Sequence, residues 1–349
     1  MRVEWRRAET SPPAGASGPG NVALVDSIRD EIAATGPITF ARFMERALYD
    51  PAYGYYVTSP TRPTRTGDFL TAPELHPIFG ATLARQIDEM WQRMDRPAPF
   101  VMREFGAGSG ALFLAVADGL AAIGSPLAGA IRYEPVDFAA QRALAVERLT
   151  ASGRAHQLVA ITERGSLASG VVVANEFLDA LPVHRVIQLH GELREIHIDW
   201  RDDRFTEIAG PSTEMRLSTW FRDRDIELAE GQRAEVNLAM LDWIRDVSAS
   251  LQCGYVMAID YGATPAALYG PDRPTGTIRA FAGQHVSADV LSGVGQRDIT
   301  SHVDFDALER EAGARGLTVA GRRRSNEFLI ACGLDDAYQQ ARTQSDTDW

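Results

Sequence analysis

Residues 101–110, VMREFGAGSG, decide the fold that we expect of this chain. An apolar run over 101–105 leads into Gly106, Gly108 and Gly110, and the helix-compatible segment ALFLAVADGLAA follows. A strand that passes through a glycine turn into a helix is how a parallel α/β sheet brings bare backbone close to a nucleotide-like ligand. The spacing is G-x-G-x-G rather than the G-x-G-x-x-G of dinucleotide folds, and no Lys-Ser/Thr pair follows as in a P-loop.

Composition narrows the class of protein. The chain has 349 residues, of which 45% are hydrophobic, enough for one large α/β domain with insertions or for two smaller domains. The net charge of −12 argues against general affinity for nucleic acid or an anionic membrane. No apolar run approaches the roughly 20 residues that a membrane-spanning helix needs, so we expect no membrane insertion. Cys253 and Cys332 lie in apolar stretches and are predicted to be buried thiols, with no metal site and a reducing compartment.

The first 20 residues are predicted to be a disordered arm. They lack the apolar centre of a signal peptide, and Glu4 and Glu9 disfavour a mitochondrial presequence. We therefore expect a bacterial cytoplasmic protein, or a protein of the mitochondrial matrix if the source is eukaryotic, with an import signal in the arm left open.

Hydrophobic periodicity predicts one α/β domain over 21–334. Its N-terminal helical cap and loop cover 21–95, and an inserted antiparallel meander with a helical segment covers 184–232. The remaining predictions are helices at 22–34, 39–48, 76–91, 233–251 and 304–315, and strands at 100–105, 130–135, 156–161, 170–177, 254–262 and 276–281. A closing strand pair is predicted from 317–325 and 326–334, and 335–349 should be a loose tail.

An acidic residue follows the glycine turn at the distance expected for a ribose ligand. Glu134 is predicted to end the second strand, where carboxylates in cofactor-binding α/β folds accept hydrogen bonds from ribose hydroxyls. Asp137 would take this role if the register is shifted.

The segment Asn175-Glu176-Phe177-Leu178-Asp179 follows the fourth strand at its carboxyl end, where such sheets place reactive groups. Two carboxylates and an amide on one turn could hold a cationic substrate, since a guanidinium matches a carboxylate bidentately. Asn175 and Asp179 could alternatively shape the turn and cap a helix.

Two further segments carry candidate residues. Asp68 and Glu74 lie in the long loop, where composition alone favours a turn residue and a first-turn helix carboxylate. His302 could accept a proton near neutral pH or be structural, and Ser301 with Asp304 fits a helix capping box.

Together these segments resemble the MidA-like, or complex I assembly factor 7, family of S-adenosylmethionine (SAM) methyltransferases. The strings GDFLTAPE (67–74), NEFLDALP (175–182) and DITSHVDF (298–305) are specific to it. The segments at 38–56, 104–112, 260–262 and 276–281 match in the same order.

The resemblance implies a Rossmann-like class I methyltransferase sheet, SAM as methyl donor, and a protein arginine as substrate. The mitochondrial family member dimethylates an arginine of a respiratory complex I subunit, so the implied partner is the corresponding subunit, with a role in assembly. Self-association is left open. Carried across by position, the resemblance implies that Gly106, Gly108 and Gly110 line the SAM pocket with Glu134 on the ribose, and that Asp68 and Glu74 lie near the cofactor or the substrate entry. Asn175, Glu176 and Asp179 would face the reacting centre, with Asn175 also counted among the cofactor-binding residues. Apart from the resemblance, our own candidate for the group that receives the proton is His302 or Asp304.

Two departures from the family keep a second hypothesis open. Family members commonly carry Gly-Pro-Gly-Arg-Gly-Thr where this chain has GAGSGA at 106–111, and a basic run after GTIRAF is reduced to His285. A cofactor-binding but catalytically silent assembly factor is therefore the alternative. A nicotinamide-dependent oxidoreductase is disfavoured by the glycine spacing and by the lack of a Tyr-x-x-x-Lys pair.

Overall fold

The computed structural model describes residues 18–58, 77–159, 165–282 and 285–344. The candidate residues Asp68 and Glu74 lie outside these ranges, as do most of the predicted N-terminal arm and the last five residues of the predicted tail.

The helices are α1 (Val22–Thr35), α2 (Phe40–Tyr49), α3 (Tyr55–Thr58), α4 (Ile78–Arg93), α5 (Ala111–Ala122), α6 (Leu127–Ala130), α7 (Ala139–Ala151), α8 (Met215–Trp220), α9 (Leu238–Ser250), α10 (Pro265–Leu268), α11 (Phe305–Ala314), α12 (Ser325–Ala331) and α13 (Leu334–Gln344). The strands are β1 (Ile38–Thr39), β2 (Phe100–Phe105), β3 (Ile131–Val136), β4 (Gly170–Asn175), β5 (His184–Leu189), β6 (Glu192–Arg201), β7 (Arg204–Gly210), β8 (Arg233–Val236), β9 (Gly254–Ile259), β10 (Gly262–Ala263), β11 (Arg279–Ala282), β12 (His285–Ser287), β13 (Asp298–Thr300) and β14 (Val303–Asp304).

The central sheet is parallel and has the strand order β3-β2-β4-β9. Both of its faces are covered, as the apolar strands predict. On β4, Val171 and Val173 face a core built with α4 and α5, while Val172 and Ala174 face a second core built with α9 and α11. The carboxyl ends of all four strands lie at one edge, where the candidate residues follow them.

A second sheet holds the predicted meander. Strands β5, β6 and β7 pair antiparallel, and β1 and β8 join at the two sides. Helices α1 and α2 pack on it through a third core that includes Ile28, Phe43 and Phe205. Thr39 caps α2 by accepting a hydrogen bond from Arg42 N–H at 3.1 Å.

The structure corrects several sequence predictions. Residues 155–157 form one 3-10 turn instead of entering a strand, and Leu158 makes a single bridge to Tyr133. The predicted helix from 233 begins with a strand, and its helical part starts at Leu238. The arm is held at its end, since Gly20 bridges to Val294. Cys253 is exposed because it lies in a bend one residue before β9 begins. Cys332 is buried as predicted.

The C-terminal prediction was also wrong. Residues 325–331 and 334–344 are helical, so the closing strand pair does not form and the tail is helical up to Gln344. Helices α12 and α13 both pack against α4, and Phe328 and Leu329 of α12 pack against the core that includes Phe79. The apolar residues of this segment therefore serve helix packing rather than a strand.

Candidate active site

The glycine turn lies between β2 and α5 and presents bare backbone at the sheet edge. Gly106, Gly108 and Gly110 have φ of 69°, 51° and 72°, the left-handed region that favours glycine. A Cβ at Gly106 would meet Phe177 at 3.3 Å, whereas a Cβ at Gly108 would have no atom within 4 Å. The turn therefore leaves open space at Gly108, next to the N-terminus of α5, which favours an anionic or polar ligand group.

The structure separates the two candidates for a ribose ligand. Glu134 lies within β3, and its buried carboxylate accepts a hydrogen bond from Arg103 Nε at 2.8 Å. Asp137 follows the end of β3 and accepts a hydrogen bond from Gly108 N–H at 2.8 Å. The strand runs two residues beyond Glu134, which places Asp137 and not Glu134 beside the open side of the turn.

One buried carboxyl group lies directly before the glycine turn. Glu104 accepts a hydrogen bond from the Tyr133 hydroxyl at 2.7 Å. Burial raises the pKa of Glu104 to about 8, with a further contribution from Asp137. Glu104 is therefore mostly protonated at neutral pH and can donate a hydrogen bond.

The turn after β4 is anchored by the strand beside it. The backbone N–H of Glu176 donates to the Ile259 carbonyl at 2.8 Å. Asp260 Oδ2 accepts from the N–H groups of Phe177, Leu178 and Asp179 at 3.2, 2.8 and 3.2 Å. Glu176 has a φ of 48°, an uncommon conformation for a residue with a side chain. The anchored turn holds Glu176 in this conformation at the edge where β4 and β9 end.

Asp179 lies deeper than Glu176. Its side chain is buried, and burial raises its pKa well above the usual value, with contributions from Asp260, Asp298 and Glu176. Burial also raises the pKa of Asp260, to about 6.

We expect Asp179→Asn to gain stability relative to wild type as the pH rises. A raised pKa in the folded state contributes stability below the ordinary aspartate value of 3.8, and this contribution is lost as the pH rises through the folded-state pKa. Asparagine does not titrate, so the free energy of unfolding of Asp179→Asn does not fall in this way. Urea unfolding of both proteins across this pH range measures the difference, and a constant difference would contradict the raised pKa.

The N-terminal helices reach this edge of the sheet through tyrosines. Tyr49 donates its hydroxyl hydrogen bond to the Ala180 carbonyl at 2.7 Å, and Tyr56 donates to Asp298 Oδ1 at 2.6 Å. Tyr49 stacks on Tyr56 and on Phe138, with ring centroids 5.4 and 5.8 Å apart. An aromatic wall thus runs from the residue after Asp137 to the carboxylate cluster.

His302 belongs to a loop that contacts the anchored turn. Ser301 N–H donates to the Asp179 carbonyl at 2.9 Å, and His302 N–H donates to Thr277 Oγ1 at 3.0 Å. Within the described part of the chain, His302 Nδ1 is buried and has no hydrogen-bond partner. Burial lowers the pKa of His302, with contributions from Arg273 and Arg279. The ring is therefore neutral at physiological pH and able to accept a proton.

The predicted capping box at this loop does not form. Asp304 is itself the N-cap of α11 and accepts from Ala307 N–H at 3.1 Å. It also forms an ion pair with Arg224 at 2.6 Å, so the Asp304 carboxylate has a structural role.

The edge of the sheet therefore brings together the glycine turn, Asp137, the segment from Asn175 to Asp179, and the loop of His302. Asn175 is the last residue of β4 and pairs in register with Ile259. Sequence reasoning missed the anchoring role of Asp260, which lay inside the predicted strand 254–262 and was noted only as part of the family-matched segment 260–262. Over the described ranges, no cluster of three or more His, Cys, Asp or Glu side chains could hold a metal ion, and no described helix is both long and apolar enough to cross a membrane.

Comparison with known proteins agrees with this geometry. A family model described as an S-adenosyl-L-methionine-dependent methyltransferase matches residues 82–323. A crystal structure from Burkholderia thailandensis, bound to S-adenosyl-homocysteine, is 32% identical and has a TM-score of 0.81, covering 92% of this chain and 84% of that chain.

Curated relatives carry a more specific name. The mouse protein arginine methyltransferase NDUFAF7, mitochondrial, is 29% identical over 333 residues, which are 87% of this chain and 73% of the mouse protein. The Drosophila melanogaster homologue is 27% identical over 325 residues, 85% of this chain and 71% of that protein. With the family match over most of the chain, these findings show that the chain belongs to the NDUFAF7-related family of SAM-dependent methyltransferases and that SAM is its cofactor.

Proposed function

We propose that this chain methylates an arginine side chain of a protein partner. The observation that carries the proposal is the turn after β4, which holds Glu176 at the sheet edge beside the glycine turn, with backbone hydrogen bonds to Ile259 and Asp260. A carboxylate in this position can bind a guanidinium bidentately and fix its orientation. The names of the curated relatives support the same substrate class.

We also infer that the parallel sheet is the Rossmann-like sheet of class I methyltransferases. In such a sheet the glycine turn and the acidic residue after the neighbouring strand bind the cofactor. The open space at Gly108 and the hydrogen bond from its N–H to Asp137 fit this use. Bound SAM supplies an electrophilic methyl group on a sulfonium.

The residues of the chain would then act on the acceptor. Glu176 orients the guanidinium so that one nitrogen faces the methyl carbon in line, and alignment of this kind lowers barriers by about 7–11 kcal/mol in the best cases. One proton is released for each methyl group transferred. His302, neutral and with an unpartnered Nδ1 among the described residues, is the proposed acceptor, directly or through water. Asp179, whose pKa burial raises well above its usual value, supports the turn through the bond from Ser301 N–H to its carbonyl.

The partner that we propose is the homologue of a respiratory complex I subunit, with methylation acting in assembly. The resemblance of the three specific motifs to the complex I assembly factor 7 family supports it. A cytoplasmic location in a bacterium remains our prediction; the curated relatives are mitochondrial.

A silent assembly factor is the second candidate, favoured by Ser109 and Ala111, which replace the usual Arg and Thr of the family's turn. The structure offers a counter-observation. Arg148 of α7 donates a hydrogen bond to Ser109 Oγ at 2.7 Å, so a guanidinium from another element reaches the same turn.

The test is methylation of proteins in an extract from cells that lack this chain. Purified protein and SAM are added, and tryptic peptides are searched by mass spectrometry for mono- and dimethylarginine. We expect methylarginine with wild type and none with Glu176→Gln. Micromolar binding of S-adenosyl-homocysteine without any methylated peptide would favour the silent assembly factor, and methylation of another residue type would overturn the arginine proposal.

We predict that Asp137→Ala weakens the binding of S-adenosyl-homocysteine roughly 10- to 100-fold, because hydrogen bonds to a charged acceptor contribute about 1.5–3 kcal/mol. Glu134→Gln breaks the buried pair with Arg103, so it should lower the free energy of unfolding by about 3 kcal/mol but leave cofactor affinity unchanged. Calorimetric titration, with NADH as the control ligand, measures both variants. If Glu134→Gln loses binding and Asp137→Ala does not, Glu134 and not Asp137 is the ribose ligand.

A further inference from the structure

The order of strands divides the candidate site into two halves. Strands β2 and β3 lie on one side of β4 and carry the glycine turn and Asp137. Strand β9 lies on the other side and is followed by Asp260 and Tyr261. In the proposed function the cofactor binds in the first half, so the acceptor approaches from the half formed by β9.

Tyr261 is a rigidly held aromatic residue in this second half. Its N–H donates to Asp260 Oδ1 at 2.8 Å, and its carbonyl accepts from Val303 N–H at 2.8 Å. The residue is nevertheless 51% exposed, although both of its backbone groups are hydrogen-bonded. Tyr261 thus combines a fixed backbone with an exposed side chain, which is typical of a residue that contacts a ligand or partner rather than of a core residue.

The surroundings of Tyr261 are acidic. Asp260 bonds the turn from Phe177 to Asp179, and the Glu176 N–H bonds the residue before Asp260, so the two turns lie side by side. Burial raises the pKa of the Tyr261 phenol, and the nearby carboxyl groups of Glu176, Asp179 and Asp260 raise it further. An aromatic ring beside a carboxylate is a receptor for a planar cation, because the ring face attracts the charge while the carboxylate pairs with the N–H groups.

We propose that Tyr261 is a specificity-determining residue of the active site, whose ring stacks on the guanidinium that Glu176 pairs with. The proposal rests on the proposed arginine methylation and adds to it the residue that selects the acceptor. A guanidinium is flat and weakly hydrated, so it gains more from stacking than the compact ammonium of lysine. The ring would thereby favour arginine over lysine at an otherwise cation-binding edge.

The test uses small acceptor probes on protein saturated with S-adenosyl-homocysteine. The probes are N-acetyl-L-arginine N-methylamide, its lysine counterpart, and the uncharged citrulline counterpart, with binding followed by ligand-observed NMR. We expect wild type to bind the arginine probe most tightly. Tyr261→Leu should weaken that binding roughly 3- to 30-fold, with unchanged affinity for S-adenosyl-homocysteine, while Tyr261→Phe keeps the ring and should stay within about twofold.

Tyr338→Leu is the matched control, because Tyr338 is also exposed but lies on α13, which packs against α4. It should bind all probes as wild type does. Unchanged binding in Tyr261→Leu, an equal loss in Tyr261→Phe, or equal binding of the citrulline probe would each overturn the stacking proposal.

Different results would contradict the stacking role of Tyr261 and the proposed arginine methylation. If methylarginine forms at the same rate with wild type and Tyr261→Leu, arginine methylation stands and the role of Tyr261 falls. If wild type prefers the lysine probe and methylates lysine, the arginine assignment falls, and the selectivity assigned to Tyr261 falls with it. If wild type binds no cationic probe, the stacking site is absent, and the methylated peptides alone decide the substrate.

Discussion

Glu176→Gln is expected to lower the turnover number roughly 10²- to 10³-fold, the range seen when one group that aligns the substrate or stabilises the transition state is removed. Glutamine keeps the size of the side chain but loses the charge that pairs with a guanidinium. The affinity for S-adenosyl-homocysteine should stay within about twofold, because the glycine turn and Asp137 lie on the other side of β4. Single-turnover methyl transfer and calorimetric titration measure the two quantities.

Asp179→Asn is the control for this prediction. Asp179 is buried, and burial raises its pKa well above the usual value, which favours the neutral acid that asparagine mimics. The exchange should therefore cost much less activity than Glu176→Gln. Full activity in Glu176→Gln would remove Glu176 from the reaction. A loss in Asp179→Asn as large as that in Glu176→Gln would show that both groups act on the substrate.

Sequence periodicity predicted the central sheet well because parallel strands covered on both faces need continuous apolar runs. Residues 100–105, 170–175 and 254–259 are strands within the predicted ranges. The antiparallel meander is confirmed because its alternation of apolar and polar residues is visible in the sequence, although β6 is buried on both faces from residue 195 to 198. Where an apolar segment was short, at 326–334 and in the described part, 156–159, of the strand predicted over 156–161, periodicity could not distinguish a strand from a helix.

The choice of a ribose ligand from the sequence depends on where the second strand of the sheet ends. The strand β3 ends at Val136, so the carboxylate that follows the end of this strand is Asp137 and not Glu134, and Asp137 is the ribose ligand that we propose. Glu134 is instead paired with Arg103 across neighbouring strands, a contact between positions 31 residues apart that no local pattern reveals. The raised pKa values of Glu104 and Asp179 could not be predicted from the sequence either, because they arise from burial in the folded chain.

Family resemblance supplied what local chemistry could not. The three specific motifs pointed to SAM before any geometry was known, and the family match confirms this cofactor. They did not reveal that Arg148 lies against Ser109, because α7 reaches the glycine turn only through the fold.

Asp260→Ala should damage both stability and catalysis. It removes the acceptor for the N–H groups of Phe177, Leu178 and Asp179 and for that of Tyr261. Leaving such donors without a partner costs about 1–3 kcal/mol each when water cannot replace the acceptor. Because the turn is partly exposed, we expect a loss of about 2–4 kcal/mol in the free energy of unfolding. Turnover should fall about 100-fold as Glu176 moves out of alignment.

Asp260→Asn separates the anchoring role from the charge. Its carbonyl oxygen can still accept from the turn at residues 177–179, while its NH₂ group faces the Tyr261 N–H and leaves that donor unpaired. We therefore expect Asp260→Asn to recover most of the stability and turnover lost in Asp260→Ala, with S-adenosyl-homocysteine affinity unchanged in both. Urea unfolding and single-turnover transfer measure this order. If Asp260→Asn is as inactive as Asp260→Ala while fully stable, Asp260 acts through its charge on the substrate, and Glu176 is held in place by its bond to Ile259 and by packing alone.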